Sequence, residues 1–207
     1  RIIPCLQLRG ESLVKTIRFG KYNYIGDPIN TCRIFNELDV DELSFIDINA
    51  SREKRGPNFE LIKEIADECF MPLSYGGGID SLSTAEKVLK LGFEKIILNT
   101  AAIDNPTVIQ EISKAAGSQS LIIALDVTTR LFGRQVCTSV SGTKNSNYTP
   151  VDWARKVEDL GAGEILLTSI AQEGTWKGFD LDLTKRVSSA VSIPVIASGG
   201  AGNLDDI

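Results

Sequence analysis

Histidine is absent from this chain. Without an imidazole, proton transfer near neutral pH falls to Asp, Glu, Lys, Tyr or Cys. Cysteine is sparse and scattered: Cys5, Cys32, Cys69 and Cys137 have no paired metal-ligand spacing, so each reads as a small buried hydrophobe or a thiol. No disulfide, zinc site, other metal or cofactor is expected. No apolar run approaches the ~20 residues of a membrane span, and residues 1–6 are too short for a signal-peptide core, so the expected location is the cytoplasm, away from membranes. Positive charge is also short: 22 Lys and Arg against 27 Asp and Glu, net −5, argue against a general nucleic-acid surface. What is present is ample core material, 43% apolar residues in 207, which suits one globular domain spanning residues 1–207. Both ends read as incomplete.

The chain is written twice. Asp41-Glu42-Leu43-Ser44-Phe45-Ile46 is answered by Gly163-Glu164-Ile165-Leu166-Leu167-Thr168, and Pro72 to Gly78 by Pro194 to Gly200, at one common offset of 122 (164 − 42 and 194 − 72). So long a period indicates a duplicated half-domain rather than a solenoid. Aligning residues 2–6 with 121–125 sets Gln7 opposite Asp126, an amide against a carboxylate.

Apolar runs suited to buried parallel strands fall at 2–6, 43–48, 73–75, 95–98, 121–125, 165–168 and 195–197. Helical patterns lie between most of them, at 28–38, 58–69, 83–91, 106–116, 150–160 and 181–190. Asp27-Pro28, Asn105-Pro106 and Thr149-Pro150 pair a capping residue with proline at the first helical position, while Gly92 and Gly161 close helices. Two copies of a four-unit half predict an α/β chain of the (β/α)₈ TIM-barrel class, with the eighth βα unit beyond the supplied residues. A dinucleotide fold is disfavoured, because Gln7-Leu8-Arg9-Gly10-Glu11 follows the first strand where a glycine fingerprint belongs.

In a barrel the chemistry sits at the C-terminal ends of strands, here Gln7, Asp47 and Asn49, Gly76 to Gly78, Asn99 and Thr100, Asp126, residues 169–175, and residues 198–202. Gly76, Gly77 and Gly78, and the matching Ser198-Gly199-Gly200-Ala201-Gly202, can each cradle an anion on backbone N–H groups. Two cradles at matched offsets suggest a substrate with phosphates at both ends; turns that need glycine for conformation alone remain the alternative. Asp126 closes an apolar run, so its carboxylate is expected to be partnered or functional, or else a loop or capping carboxylate. Lys15 and the basic, aromatic segment 18–24 read as a lid or as a solvated loop. Glu173-Gly174-Thr175 adds a carboxylate beside a glycine and a hydroxyl. Arg1, Glu42, Lys95 and Glu164 stand at strand starts, where charge reads as stability or as a gate to the barrel axis.

Taken together, Ile3-Pro4-Cys5-Leu6, Asp41-Glu42-Leu43, Tyr75-Gly76-Gly77-Gly78-Ile79, Asn99-Thr100-Ala101-Ala102, residues 161–169 and residues 193–202 resemble the HisF family, the cyclase subunit of imidazole glycerol phosphate synthase. The resemblance covers essentially the whole chain. It implies a heterodimer with a HisH-like glutaminase that delivers ammonia through the barrel to a phosphorylated substrate. It implies an ammonia gate of Arg1, Glu42, Lys95 and Glu164, a partner-interface residue at Glu94, and phosphate ligands at Lys15, Gly76, Gly77, Gly78, Asn99, Thr100, Gly174, Thr175, Gly199 and Gly200. Of the family's two catalytic aspartates, one falls on Asp126 and the other on Gln7. The family's Asp-Arg-Asp-Gly-Thr also becomes Ala171-Gln172-Glu173-Gly174-Thr175, which leaves Glu173 as a substitute catalytic carboxylate. That departure resembles HisF-like paralogues that work with a glutaminase and a sugar amidotransferase in amidination of surface-polysaccharide sugars. Authentic cyclisation in histidine biosynthesis, and a non-catalytic ammonia conduit or scaffold, are the alternatives.

Overall fold

The computed structural model describes residues 1–206. It divides into two compact units, one of Arg1–Lys15 and Asn23–Leu98, the other of Thr16–Tyr22 and the chain from Asn99 onward.

The first unit carries four parallel strands, β1 (Cys5–Arg9), β4 (Leu43–Asp47), β5 (Leu73–Gly76) and β6 (Lys95–Leu98), paired in that order. An antiparallel strand β2 (Ser12–Thr16) folds back on β1, and β3 (Tyr22–Gly26) follows it. Helices α1 (Pro28–Glu37), α2 (Phe59–Glu68) and α3 (Leu82–Lys90) connect the parallel strands. Each starts where a side chain caps it: Asp27 Oδ1 accepts from Asn30 N–H, Asn58 Oδ1 from Leu61 N–H and Ser81 Oγ from Thr84 N–H. Leu8, Leu43, Phe45, Ile62, Ile65, Val88 and Ile96 form the buried core.

The second unit repeats the plan with parallel strands β7 (Leu121–Thr129), β10 (Glu164–Ser169) and β11 (Val195–Ser198). Here α4 (Thr100–Asp104) and α5 (Thr107–Ala116) precede β7, α6 (Pro150–Asp159) precedes β10, and α7 (Leu181–Ser188) precedes β11. Its first strand also folds back, through β8 (Gln135–Ser139) and the short β9 (Lys144–Asn145). Trp153 is fully buried on α6 and stacks on Tyr148 at 4.4 Å between ring centres.

Several expectations need correction. The first strand begins at Cys5, not Ile2, because Pro4 has no N–H to give a ladder and only its carbonyl pairs, accepting from Ser44 N–H at 3.0 Å. Of the basic segment 18–24 expected as a loop, residues 18–21 lie in the turn between β2 and β3, while residues 22–24 belong to β3. Lys15 lies within β2. The hairpin β8–β9 and helix α4 had no counterpart in the sequence reading.

Both glycine turns have a steric cause, and it repeats. Gly77 has φ +113°, and a Cβ there would lie 2.5 Å from the Asp47 carbonyl oxygen; Gly199 has φ +89°, and its Cβ would lie 3.0 Å from the Ser169 carbonyl oxygen. The two pairs are again 122 apart (199 − 77 and 169 − 47), so each half seats its glycine turn on the end of the preceding strand. Gly77→Ala should therefore lower the unfolding free energy by ~2 kcal/mol or more, from strain plus overlap. Gly10→Ala, at φ +61° with open space around it, should cost only ~1 kcal/mol. Urea midpoints of the two variants check this; equal losses would contradict it.

Candidate functional site

The ladder registers place Gln7 and Asp126 at the same height in their own units. On β1, Gln7 pairs with Ile46 of β4, which pairs with Gly76 of β5; on β7, Asp126 pairs with Thr168 of β10, which pairs with Ser198 of β11. The offsets 168 − 46 and 198 − 76 are both 122, so the two rows are copies of one another. Contrary to the expectation that both stand at strand ends, neither residue closes its strand. Gln7 is the third residue of β1 and Asp126 the sixth of β7. Each also faces an antiparallel neighbour, Val14 for Gln7 and Thr138 for Asp126.

Asp126 is half-buried between fully buried Leu125 and Val127. Desolvation pushes its carboxyl up to about 7; a hydrogen bond from Thr168 opposes the rise and the charge of Glu173 adds to it. A group poised there exchanges a proton readily at neutral pH. Gln7 offers an amide, which donates and accepts hydrogen bonds but does not titrate in this range. Thr168 was missed by sequence reasoning, although a signal existed: a hydroxyl stands where the other copy has Ile46.

Glu173 is buried, and its carboxylate is engaged by the hairpin turn. Oε1 accepts from Thr16 Oγ1 at 2.8 Å and Oε2 from Phe19 N–H at 3.1 Å, while its carbonyl accepts from Arg18 N–H at 3.0 Å. Arg18 and Phe19 have φ of +52° and +57°, a left-handed pair that costs roughly 1 kcal/mol or more for each non-glycine residue. Charge-assisted hydrogen bonds from Thr16 Oγ1 and Phe19 N–H to the Glu173 carboxylate offset that strain. Gly174 lies against the Thr16 carbonyl with no room for a Cβ. Thr175 Oγ1 donates to the Gln172 carbonyl at 2.7 Å.

Other strand-end residues are also tied in. Asn99 Nδ2 donates to the Ala124 and Thr138 carbonyls at 3.1 and 3.0 Å, pinning β8 to β7, and Thr100 Oγ1 accepts from Val140 N–H at 3.0 Å. Asp47 is a structural anchor: its carboxylate meets Arg55 at 2.8 Å and accepts from the Asn49 and Ala50 N–H groups. After Gly199 and Gly200, the Gly202 and Asn203 N–H groups both donate to one oxygen of Asp206, at 2.7 and 3.1 Å. This turn already accepts an anionic oxygen on backbone amides.

At the opposite ends of the first unit's strands, Glu42 is buried and binds Lys95 Nζ at 3.3 and 3.1 Å and Arg1 at 3.4 Å. One step along the ladder, Ser44 of β4 pairs with Ser74 of β5, which pairs with Lys95. Both serine hydroxyls are buried and have no hydrogen-bond partner among the described residues. Glu164 occupies the repeat-equivalent place at the start of β10 in the second unit and is buried. Glu94 is exposed beside Lys95. Among the described residues, no group of three or more His, Cys, Asp or Glu is arranged to hold a metal, and no helix is long and apolar enough to cross a membrane.

Comparison with known proteins supplies the context. The family model described as histidine biosynthesis protein matches residues 1–207. A protein of Pseudomonas aeruginosa named putative imidazole glycerol phosphate synthase subunit hisF2 is 48% identical over 207 residues, covering 100% of this chain and 82% of its own length. A Vibrio vulnificus protein named putative subunit hisF3 is 44% identical, covering 100% of this chain and 80% of its own. The imidazole glycerol phosphate synthase subunit HisF of Alkaliphilus metalliredigens is 43% identical over 206 residues, covering 100% and 82%. The repeated βα plan is that of the (β/α)₈ barrel class, and the chain belongs to the histidine biosynthesis protein family, in the group named imidazole glycerol phosphate synthase subunit HisF.

Proposed function

We propose that this chain is the synthase-type subunit of a glutamine amidotransferase. It takes ammonia from a HisH-like glutaminase and uses it on a phosphorylated acceptor, without efficient turnover of the histidine-pathway ribonucleotide. The acceptor we favour is a surface-polysaccharide sugar, amidinated with the help of a sugar amidotransferase. The observation that carries the divergence is the register match of Gln7 with Asp126. Acid–base catalysis by a positioned side chain is typically worth ~10²–10⁴-fold, so an amide at one of two proton-transfer positions raises the barrier by roughly 3–5 kcal/mol. Glu173 is a poor substitute, since Thr16 and Phe19 already hold its carboxylate.

Ammonia entry is supported by the first unit's polar interior. Glu42 with Arg1 and Lys95 is a charged cluster that a side-chain rearrangement can open, and Glu94 marks the partner-facing surface next to it. The adjoining Ser44 and Ser74 hydroxyls suit a small neutral molecule that both donates and accepts hydrogen bonds. At the other strand ends, the Gly76 to Gly78 turn, Asn99 and Thr100, Gly174 and Thr175, and Gly199 and Gly200 are the positions for the acceptor's phosphates, with Lys15 as a supporting cation. Authentic cyclisation is the second reading, favoured by the retained Asp126 and by relatives named simply as HisF.

With ammonia supplied directly, the wild-type chain should convert the histidine-pathway ribonucleotide ~10²–10⁴-fold more slowly than Gln7→Asp. Equal rates, or wild-type turnover in the ordinary range of ~1–10³ per second, would establish the cyclase reading instead. In the complex with its glutaminase, Arg1→Ala should raise glutamine consumed per product formed several-fold. An unchanged ratio would count against a gate at Arg1.

A further inference from the structure

In the second unit the loop after β10 is seated backbone on backbone against the glycine turn after β11, and the glycines of that turn make the fit possible. A Cβ on Gly199 would meet the Glu173 backbone at 3.3 Å, one on Gly200 would overlap the Gly178 carbonyl, and one on Gly202 would lie 2.7 Å from the Trp176 carbonyl oxygen. Gly178 N–H also donates to the Gly200 carbonyl at 2.8 Å. The Trp176 backbone is thereby fixed between Thr175 and the turn. Its indole shares none of this packing, since the residue is 69% exposed. Its φ of +60° is a left-handed conformation that a bulky side chain adopts only at a cost. Trp153, the other tryptophan of the chain, is the contrast: it is fully buried on α6 and stacked on Tyr148. A strained backbone that holds an aromatic ring out beside a phosphate-type turn points to binding rather than to folding.

We propose that Trp176 is the platform on which the sugar ring of the phosphorylated acceptor stacks: a pyranose lies with one C–H face on the indole while its phosphate is held at Thr175 and the turn of Gly199 and Gly200. This inference rests on the reading that the acceptor is a phosphorylated sugar. Position and chemistry both favour a pyranose. The indole belongs to the residue after Thr175, so the ring that meets it is the one bonded to the phosphate group. A chair pyranose turns several C–H bonds to one face, each made slightly positive by neighbouring oxygens, and that face complements the negative face of an indole. A puckered furanose presents a smaller one. The phosphate then supplies charge, and Trp176 supplies selection by ring shape.

The test measures binding alone, without ammonia or a glutaminase, so it stands apart from the Gln7→Asp turnover comparison. Glucose 1-phosphate, ribose 5-phosphate and inorganic phosphate are titrated by calorimetry into the whole chain and into Trp176→Gly, with acrylamide quenching of tryptophan fluorescence as a second readout. Trp176 should supply most of the quenching, because Trp153 is fully buried, and glucose 1-phosphate should suppress it. The wild type should bind glucose 1-phosphate about tenfold more tightly than the other two probes, and Trp176→Gly should bind all three alike. Glycine is unstrained at this left-handed φ. That variant should therefore keep or raise the urea midpoint, whereas losing a Trp176 that served only the fold would lower it. Equal affinities in the wild type, an undiminished preference in Trp176→Gly, or an indole already shielded from acrylamide before ligand is added would overturn the proposal. If glucose 1-phosphate binds wild type and Trp176→Gly equally, the platform falls and the acceptor reading stands; if it binds neither, both fall.

Discussion

Parallel-strand register is the constraint on which the rest of the structure depends. In each unit the hydrogen-bond ladder decides which side chains stand at one height, and a slip by one residue would turn every side chain to the opposite face. Because β1 with β4 and β7 with β10 keep the same register, Gln7 and Asp126 become counterparts rather than merely aligned letters. The same ladders seat Gly77 on Asp47 and Gly199 on Ser169. A duplicated backbone thus offers two equivalent positions, and substitution at one of them gives the halves different chemistry.

Buried acidic groups in this chain meet three different fates, set by what surrounds them. Glu42 is stabilised by two cations, and Asp47 by Arg55 and two backbone N–H groups. Glu173 spends its carboxylate on Thr16 and Phe19, where it offsets a left-handed turn. At Asp126 the Thr168 hydroxyl opposes the cost of burial, but desolvation dominates. Full pairing makes a carboxylate structural; incomplete compensation leaves Asp126 titrating near neutral pH.

The periodic features of the fold were legible from residues. The βα alternation, the Asp27, Asn58 and Thr149 helix starts and the glycine helix ends each have a local cause, so local pattern sufficed. The β8–β9 hairpin was not legible, because its strand Gln135–Ser139 gains its order from pairing with β7. The Gln7 and Asp126 pairing was visible through the repeat, yet their mid-strand position was hidden by a first strand that starts at Cys5 and a β7 that runs on to Thr129. The Glu173 clamp depends on Thr16, 157 residues away in sequence, and no spacing rule reaches that far.

Asp126 carries a desolvated carboxyl that titrates near neutrality, and the pH dependence of folding stability reads this out. In the folded chain it keeps its proton up to about 7, against an ordinary value of 3.8, so its stabilising proton is lost as pH rises toward 7. Unfolding free energies of the wild type and Asp126→Asn should therefore diverge between pH 5 and pH 7. The wild type should lose ~1 kcal/mol per pH unit relative to the variant, with no further change above about 7. Parallel stability curves across that range would place the carboxyl in the ordinary acidic range and contradict the account.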